Sequence, residues 1–209
     1  MIVAIDGPAG TGKSTVARLL ARRLGFRYLD TGAMYRALTW LALEQGVDLD
    51  DEEAMAALAE ESETRFDEDR ITIGGRDVTE SIRTAEIDRV VSSVASHQAV
   101  RRVLRERQRI LAEEGSAVVE GRDIGSVVVP GADVKIYLIA DAEVRARRRE
   151  AERPGIGADA LATDLRLRDE RDAHQLRPAP DAQTIDTTEL SIDAVVERIE
   201  DAVTARARA

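Results

Sequence analysis

The chain has 209 residues, a length that suits one to two domains and a sizeable buried core. It carries 30 Lys+Arg against 40 Asp+Glu, a net charge of -10, which argues against a nucleic-acid polymer or an anionic membrane surface as partner. Cysteine is absent and there are two distant histidines, His97 and His174, so a disulfide framework, a thiolate centre, a cysteine nucleophile and a zinc site are all disfavoured.

Ile2 to Asp6 is a short β-branched run stopped by Gly7-Pro8, which predicts a buried strand. From Ser14 to Leu24 the period becomes helical: Val16, Leu19, Leu20 and Leu24 share a face, and Gly25 stops the helix. A strand at Phe26 to Asp30 and a helix at Ala33 to Gln45 follow, then a helical pattern at Asp51 to Ala59 with acids in its first turn. Ile71 to Val78 predicts a hairpin turning at Gly74-Gly75, where positive φ is needed.

Helices are predicted at Glu86 to Ala95 and Gln98 to Glu114, the second with Val100, Val103, Leu104 and Leu111 as its apolar stripe. Ala117 to Val119 and Val134 to Ile139 are apolar runs suited to central parallel strands. Helical patterns at Asp141 to Glu152 and Asp159 to Asp172 are separated by Pro154-Gly155-Ile156-Gly157. A strand at Thr184 to Asp186 and a helix at Ile192 to Ala205 complete the chain. The alternation defines an α/β protein with a parallel sheet, interrupted between about 49 and 82 by an insertion.

No stretch approaches the ~18 apolar residues of a membrane span, and the N-terminal apolar run lacks the form of a signal peptide. A soluble, cytoplasmic protein, acting as a monomer, is expected. Charge is unevenly spread. Residues 48–69 hold eleven acids and one base, Arg65, which accounts for the whole net charge; the rest of the chain is balanced. Only Lys13 and Lys135 among the basic residues are lysines.

One of those lysines sits in a motif. Gly7-Pro8-Ala9-Gly10-Thr11-Gly12-Lys13-Ser14, followed by Thr15, fits G-x-x-x-x-G-K-[ST] between a predicted strand and a predicted helix. Glycines let such a loop wrap so that successive N–H groups face phosphate oxygens, and the helix start adds its unpaired N–H groups. Lys13 can reach the β- and γ-phosphates of ATP, and the Ser14 hydroxyl is placed for Mg²⁺. A guanine-reading Asn-Lys-x-Asp is impossible in a chain without asparagine, and Asp-x-x-Gly is absent, so a GTPase switch is disfavoured. A nucleotide kinase or a small-metabolite kinase remains, as does a binding module that kept the loop without the chemistry.

An acceptor site is then required. Leu29-Asp30-Thr31-Gly32-Ala33-Met34-Tyr35-Arg36 puts a hydroxyl and free N–H groups at a helix start, with Arg36 about one turn in, which suits a second anion. Glu120-Gly121-Arg122-Asp123-Ile124-Gly125 follows a predicted core strand, at the carboxyl end where α/β sheets bind ligands.

Together with Ile82-Arg83-Thr84, Val90 to Arg109, Arg168-Asp169-Glu170-Arg171-Asp172 and Ile185-Asp186-Thr187-Thr188, these stretches make the sequence resemble the bacterial cytidylate kinases over nearly its whole length. The resemblance implies a P-loop NTPase-type parallel five-stranded sheet in the order 2-3-1-4-5 with flanking helices. It also implies a core at about 1–48, 83–144 and 158–209, a monophosphate-binding insert at about 49–82, and a lid at about 145–157.

The implied reaction is γ-phosphoryl transfer from Mg²⁺-bound ATP to CMP, and to dCMP. The resemblance also takes in Ile5-Asp6-Gly7-Pro8, leading into the loop. By it, residues 7–15 bind ATP, Thr31, Arg36 and Arg122 hold the acceptor phosphate, and Ser92, Arg101 and Asp123 read cytosine. Arg168 and Asp172 meet the pentose. Cytosine offers an amino donor beside two acceptors, so a reader needs both an acceptor and a donor such as arginine.

Because the acceptor oxygen is already anionic near neutral pH, no general base is required. Catalysis is then positioning and charge neutralisation, with Lys13, Arg122 and Asp123 as the catalytic group. Lid arginines among Arg145, Arg147, Arg148, Arg149 and Arg153 are expected to close over the phosphoryl group, or else to form a solvated helix face paired with Glu143, Glu150 and Glu152. The chain departs from the family pattern at Glu120, where Asp is common. It departs again at Gln175, where a phosphate-binding arginine is common; either Arg177 takes over from a shifted backbone or that contact is missing. His97 and His174 are expected at the surface, and Trp40 and Phe66 in packing.

Overall fold

In the structure, a computed structural model describing residues 1–67, 70–152 and 157–208, strands and helices alternate through most of the chain. They begin with β1 (Ile2–Asp6), α1 (Lys13–Leu24), β2 (Arg27–Asp30), α2 (Thr31–Gln45) and α3 (Glu52–Glu61). Next come β3 (Thr64–Asp67), β4 (Arg70–Ile73), β5 (Arg76–Asp77), α4 (Ala85–Ser96) and α5 (Gln98–Glu113). The last are β6 (Ala117–Gly121), β7 (Val134–Ile139), α6 (Ala142–Glu152), α7 (Ala158–Asp172), β8 (Gln183–Asp186) and α8 (Ile192–Ala207). Glu68, Asp69, Arg153 and the Pro154-Gly155-Ile156 stretch of the expected lid lie outside the described residues.

Two compact units divide the chain, residues 1–28 with 115–209, and residues 29–114. The first is built on a five-stranded sheet ordered β2-β6-β1-β7-β8, the order expected from the sequence. β1 pairs in parallel with β6 and β7, and β7 with β8. A central parallel strand is covered on both faces, which is why Val3, Ala4 and Ile5 are fully buried and why the run shows no polar alternation.

Of the stripe expected on α1, Val16 and Leu20 are buried while Leu19 and Leu24 are partly buried, and Ala17 and Ala21 complete the buried face. Val16, Ala17, Leu20 and Ala21 are buried against Val118, Ile136 and Leu138 of the sheet, with Val195, Val196 and Ile199 of α8 in the same cluster. Both ends of α1 are set by glycines with left-handed backbone, Gly12 at φ 89° and Gly25 at φ 66°.

The second unit, 29–114, contains the whole of the 49–82 stretch together with α2, α4 and α5. Its core joins Met34, Leu38 and Leu41 of α2 to Met55 of α3, Ile73 of β4, Ile87 and Val91 of α4 and Leu104 of α5. The expected hairpin is present as β4 and β5, with positive φ at both Gly74 and Gly75 (55° and 76°).

A third strand of this sheet is not expected from the sequence. β3 pairs antiparallel with β4 to make a three-stranded sheet, its Thr64 buried, Phe66 partly buried, and Arg65 and Asp67 exposed. The alternation is in the sequence, but charged residues on the outer face disguise it. Trp40 and Phe66 pack against this core as expected. His97, expected at the surface, is partly buried, with its Nε2 2.8 Å from the Leu49 carbonyl. Glu52 supplies the cap that α5 lacks, its Oε1 accepting from the Ala99 N–H at 2.7 Å.

Candidate active site

The residues singled out from the sequence fall into two groups, one in each unit. In the first unit the phosphate loop runs from the end of β1 to the start of α1. Gly7 has φ +143°, and a Cβ there would lie 2.2 Å from the Leu138 carbonyl oxygen of β7, so any side chain would push the loop off the sheet.

Four cations donate to carbonyls of this loop. Arg122 Nη1 donates to Gly7 O at 3.2 Å, Lys13 Nζ to Pro8 O at 2.7 Å, Arg145 Nη1 to Ala9 O at 3.1 Å and Arg148 Nη1 to Thr11 O at 3.4 Å. The Thr11 hydroxyl also donates to Pro8 O, at 3.0 Å. Occupying the carbonyls in this way leaves the loop's N–H groups as its capacity for an anion.

Lys13 is buried, and its pKa falls from 10.5 to about 7, first because burial disfavours the ammonium and then because of the neighbouring positive charge of Arg122. Glu120 and Asp6 pull in the other direction and are outweighed. A lysine buried beside an arginine, with its proton affinity depressed, makes this loop a candidate site for an anion.

Asp6 ends the stretch that leads into the phosphate loop, and the sequence assigns it no role. It is 5 % exposed, and its two carboxylate oxygens accept the N–H groups of Ile124 and Gly125, each at 2.8 Å. Burial raises its pKa from 3.8 to about 6, against the lowering effect of those two hydrogen bonds. Glu120 is also buried and accepts from the Tyr28 hydroxyl at 2.6 Å, a use for the longer carboxylate that the sequence does not suggest.

Arg122 Nε donates to Asp172 Oδ2 at 3.0 Å, and Arg168 Nε lies 3.8 Å from the same oxygen, so Arg122, Arg168 and Asp172 converge in the first unit. Asp123 is buried beside them in sequence, and its charge raises the pKa of Asp6. Gln175 donates its backbone N–H to Asp172 O at 2.8 Å, while Arg177 is exposed.

The expected lid arginines divide. Arg145 and Arg148 are partly buried, and besides their loop carbonyls Arg145 pairs with Asp169 at 2.7 Å. Arg148 donates to the Thr187 hydroxyl at 3.0 Å and to Thr187 O at 2.6 Å. Thr187 is a buried junction, its hydroxyl 3.1 Å from both Thr11 O and Ile139 O. Arg149 pairs with Glu152 on its own helix, and Arg147 is exposed.

In the second unit, Asp30 caps α2 by accepting the Ala33 N–H at 2.9 Å, which places Thr31 and Arg36 on the first turns of that helix. Arg36 forms an ion pair with Asp88 of α4 and donates to Ile82 O at 3.3 Å. Asp88, whose side chain is 4 % exposed, is another residue the sequence does not reveal, because nothing local marks it as the partner of Arg36. Thr31, Ser92 and Arg101 are buried; Arg101 donates to Ala95 O at 3.2 Å and lies 5.9 Å from the centre of the Tyr35 ring.

Among the described residues no group of three or more His, Cys, Asp or Glu side chains could hold a metal ion. Ser14 is exposed at the helix start. One exposed hydroxyl beside a phosphate loop fits Mg²⁺ that arrives coordinated by nucleotide phosphates and water, rather than an ion in a cage of side chains. No helix among the described residues is long and apolar enough to cross a membrane.

The fold is shared with solved structures of low sequence identity. A protein from Eubacterium ventriosum aligns with a TM-score of 0.55 at 14 % identity, covering 98 % of each chain. A shikimate kinase from Bacteroides thetaiotaomicron aligns with a TM-score of 0.53 at 16 % identity, again covering 98 % of each. At the sequence level, the cytidylate kinase of Bacillus licheniformis is 47 % identical over 212 aligned positions, 95 % of this chain and 94 % of that one. The cytidylate kinase of Pseudomonas aeruginosa is 48 % identical over 95 % of this chain and 93 % of its own. The family description for cytidylate kinase matches residues 3–205. With the phosphate loop, the sheet order and near-half identity in agreement over almost the full length, the chain belongs to the cytidylate kinase family.

Proposed function

We propose that this protein transfers the γ-phosphoryl group of ATP to CMP, giving CDP and ADP, and that it also accepts dCMP. Relatives named as cytidylate kinases support the reaction. The observation that carries it in this chain is Lys13, buried on the phosphate loop beside Arg122 with its proton affinity depressed, a setting that a phosphate group would balance.

Residues Gly7, Pro8, Ala9, Gly10, Thr11, Gly12, Lys13, Ser14 and Thr15 hold the ATP phosphates, and the Ser14 hydroxyl is the protein's ligand to Mg²⁺. When bound, Mg²⁺ neutralises charge on the transferring phosphates. Lys13 supplies a point charge to the same phosphates. It exchanges the Pro8 carbonyl for a phosphate oxygen, and an anionic partner restores the proton affinity that burial lowered. Arg122 turns from the Gly7 carbonyl and Asp172 toward the acceptor phosphate, for which the family resemblance also names Thr31 and Arg36.

Ser92, Arg101 and Asp123 read the cytosine edge, and Arg168 and Asp172 contact the pentose. The aromatic ring of Tyr35 and the α4 carbonyl that hold Arg101 fix its guanidinium for that purpose. Arg145, Arg147, Arg148 and Arg149 form the lid side. Arg145 and Arg148 act on the transferring phosphoryl by way of the loop they already touch. No proton need be removed from the acceptor, so positioning and charge neutralisation do the chemistry.

The test is a steady-state panel with Mg-ATP against CMP, dCMP, UMP, AMP and shikimate. CMP is expected to give the highest kcat/KM with dCMP also used. Faster turnover of UMP, AMP or shikimate overturns the assignment, and no CDP from CMP would make the chain a non-catalytic nucleotide binder.

A further inference from the structure

We propose that Asp6 is a positioning residue for phosphoryl transfer, its carboxylate holding the turn that carries Arg122 and Asp123 in register with the phosphate loop. The inference rests on the reading of Arg122 and Asp123 as acceptor-side residues and adds what places them.

β1 and β6 run in parallel with Asp6 opposite Gly121, so the sheet fixes the backbone just before Arg122. The next two residues, Arg122 and Asp123, leave the strand. Immediately after them the N–H groups of Ile124 and Gly125 both end on the Asp6 carboxylate at 2.8 Å. Arg122 and Asp123 are thus pinned from both ends by one residue, through its backbone pairing and through its side chain. The residue after Asp6 is Gly7, first of the phosphate loop, and its carbonyl accepts from Arg122. The Asp6 side chain therefore sets the turn against a backbone that the sheet already holds.

Folding alone gives little reason for a carboxylate here. Asp6 is 5 % exposed, its hydrogen bonds are to neutral N–H groups, and burying a charge on those terms is costly. Burial raises its pKa to about 6, which records that cost. What a carboxylate offers over an amide is two equivalent acceptors. Asparagine has one, and its NH₂ group would face the second N–H donor.

The test uses the full-length enzyme with CMP and Mg-ATP, comparing Asp6→Asn, Asp123→Asn and the double variant. Asp6→Asn is expected to lower kcat by about 30- to 100-fold while the KM for ATP changes less than about threefold, because the phosphate loop itself keeps its cations. The double variant is expected within about threefold of the worse single variant, since both changes disable one arm.

Multiplying effects, or wild-type kinetics for Asp6→Asn beside a defective Asp123→Asn, overturn the role of Asp6 and leave the acceptor assignment standing. A raised KM for ATP with unchanged kcat also overturns it, because the damage would then lie in the loop. Wild-type kinetics for Asp123→Asn overturn the acceptor assignment and the inference with it. If Asp6→Asn does not fold, Asp6→Ser, which also keeps a single acceptor, is measured in its place. In the wild-type enzyme the amides of Ile124 and Gly125 are expected to exchange slowly with solvent; rapid exchange of both overturns the clamp.

Discussion

The two units hold their arginines in different ways. In the first, Arg122, Arg145 and Arg148, with Lys13, are tied to backbone carbonyls of one loop at the end of a parallel sheet. In the second, Arg36 and Arg101 share no such loop: each meets one side chain and one carbonyl, Arg36 the Asp88 carboxylate and Ile82 O, Arg101 the Tyr35 ring and Ala95 O. Phosphate is the same in every nucleotide, so a backbone cradle that tolerates many side chains is sufficient for it. A base must be told from other bases, and that requires particular side chains at particular angles. In the proposed reading, the first arrangement serves transfer, and Arg101 of the second serves selection.

The largest expected effect tests the transfer side. Lys13→Ala should lower kcat by about a thousandfold, the scale of losing a charge that stabilises developing negative charge. Affinity for CMP, measured by calorimetry, should change little. Equal loss of turnover and CMP binding would break the division between the units.

Asp6 gives a prediction in pH. Its pKa rises from 3.8 in the unfolded chain to about 6 in the folded one, so the folded state holds the proton more tightly. The stability this lends is fully present below pH 3.8 and is lost as pH rises through about 6. The loss amounts to about 3 kcal/mol by pH 7. Urea unfolding at pH 4 and pH 8 should therefore show Asp6→Asn losing about 2 kcal/mol less stability over that interval than the wild type. An identical pH dependence in the two proteins would mean that Asp6 carries no buried charge.

On the selection side, Arg101→Ala should reduce the preference for CMP over UMP by about tenfold or more, read as the ratio of kcat/KM values. An unchanged ratio would remove Arg101 from base reading and leave it a packing residue beneath Tyr35. The smallest effect is structural. Gly75→Ala should cost about 1 kcal/mol, from its positive φ of 76° alone, since nothing lies within 4 Å of the added methyl group. A larger loss would show that the β4–β5 turn is coupled to the rest of its unit.

Much of the first unit is legible in the amino-acid sequence. The alternation of elements, the phosphate loop and the sheet order all follow from local patterns and from resemblance, because a buried parallel strand and a glycine-rich loop each leave a short, dense signature. β3 is not legible there, although Thr64 and Phe66 alternate with Arg65 and Asp67, because four residues in an acidic stretch become a strand only by pairing with β4. The sequence does not single out Asp88, and although Asp6 and Thr187 fall in stretches that carry the resemblance, it gives neither a role. Each works through partners far away in sequence, Asp6 through Ile124 and Gly125, Asp88 through Arg36, and Thr187 through Thr11 and Arg148.

By itself, then, the sequence determined which chemistry the chain could perform: a loop for phosphates, a set of arginines for anions, and an acidic segment that hides a balanced core. Tertiary structure decided how each charge is held. Two of the arginines expected to belong to a lid are fastened to the phosphate loop, and an aspartate to which the sequence gives no role accepts the N–H groups that follow Arg122 and Asp123. The reason is one of range. Strand, helix and loop propensities act over a few residues, whereas the partner of a buried charge is set by which distant segments the fold packs beside it.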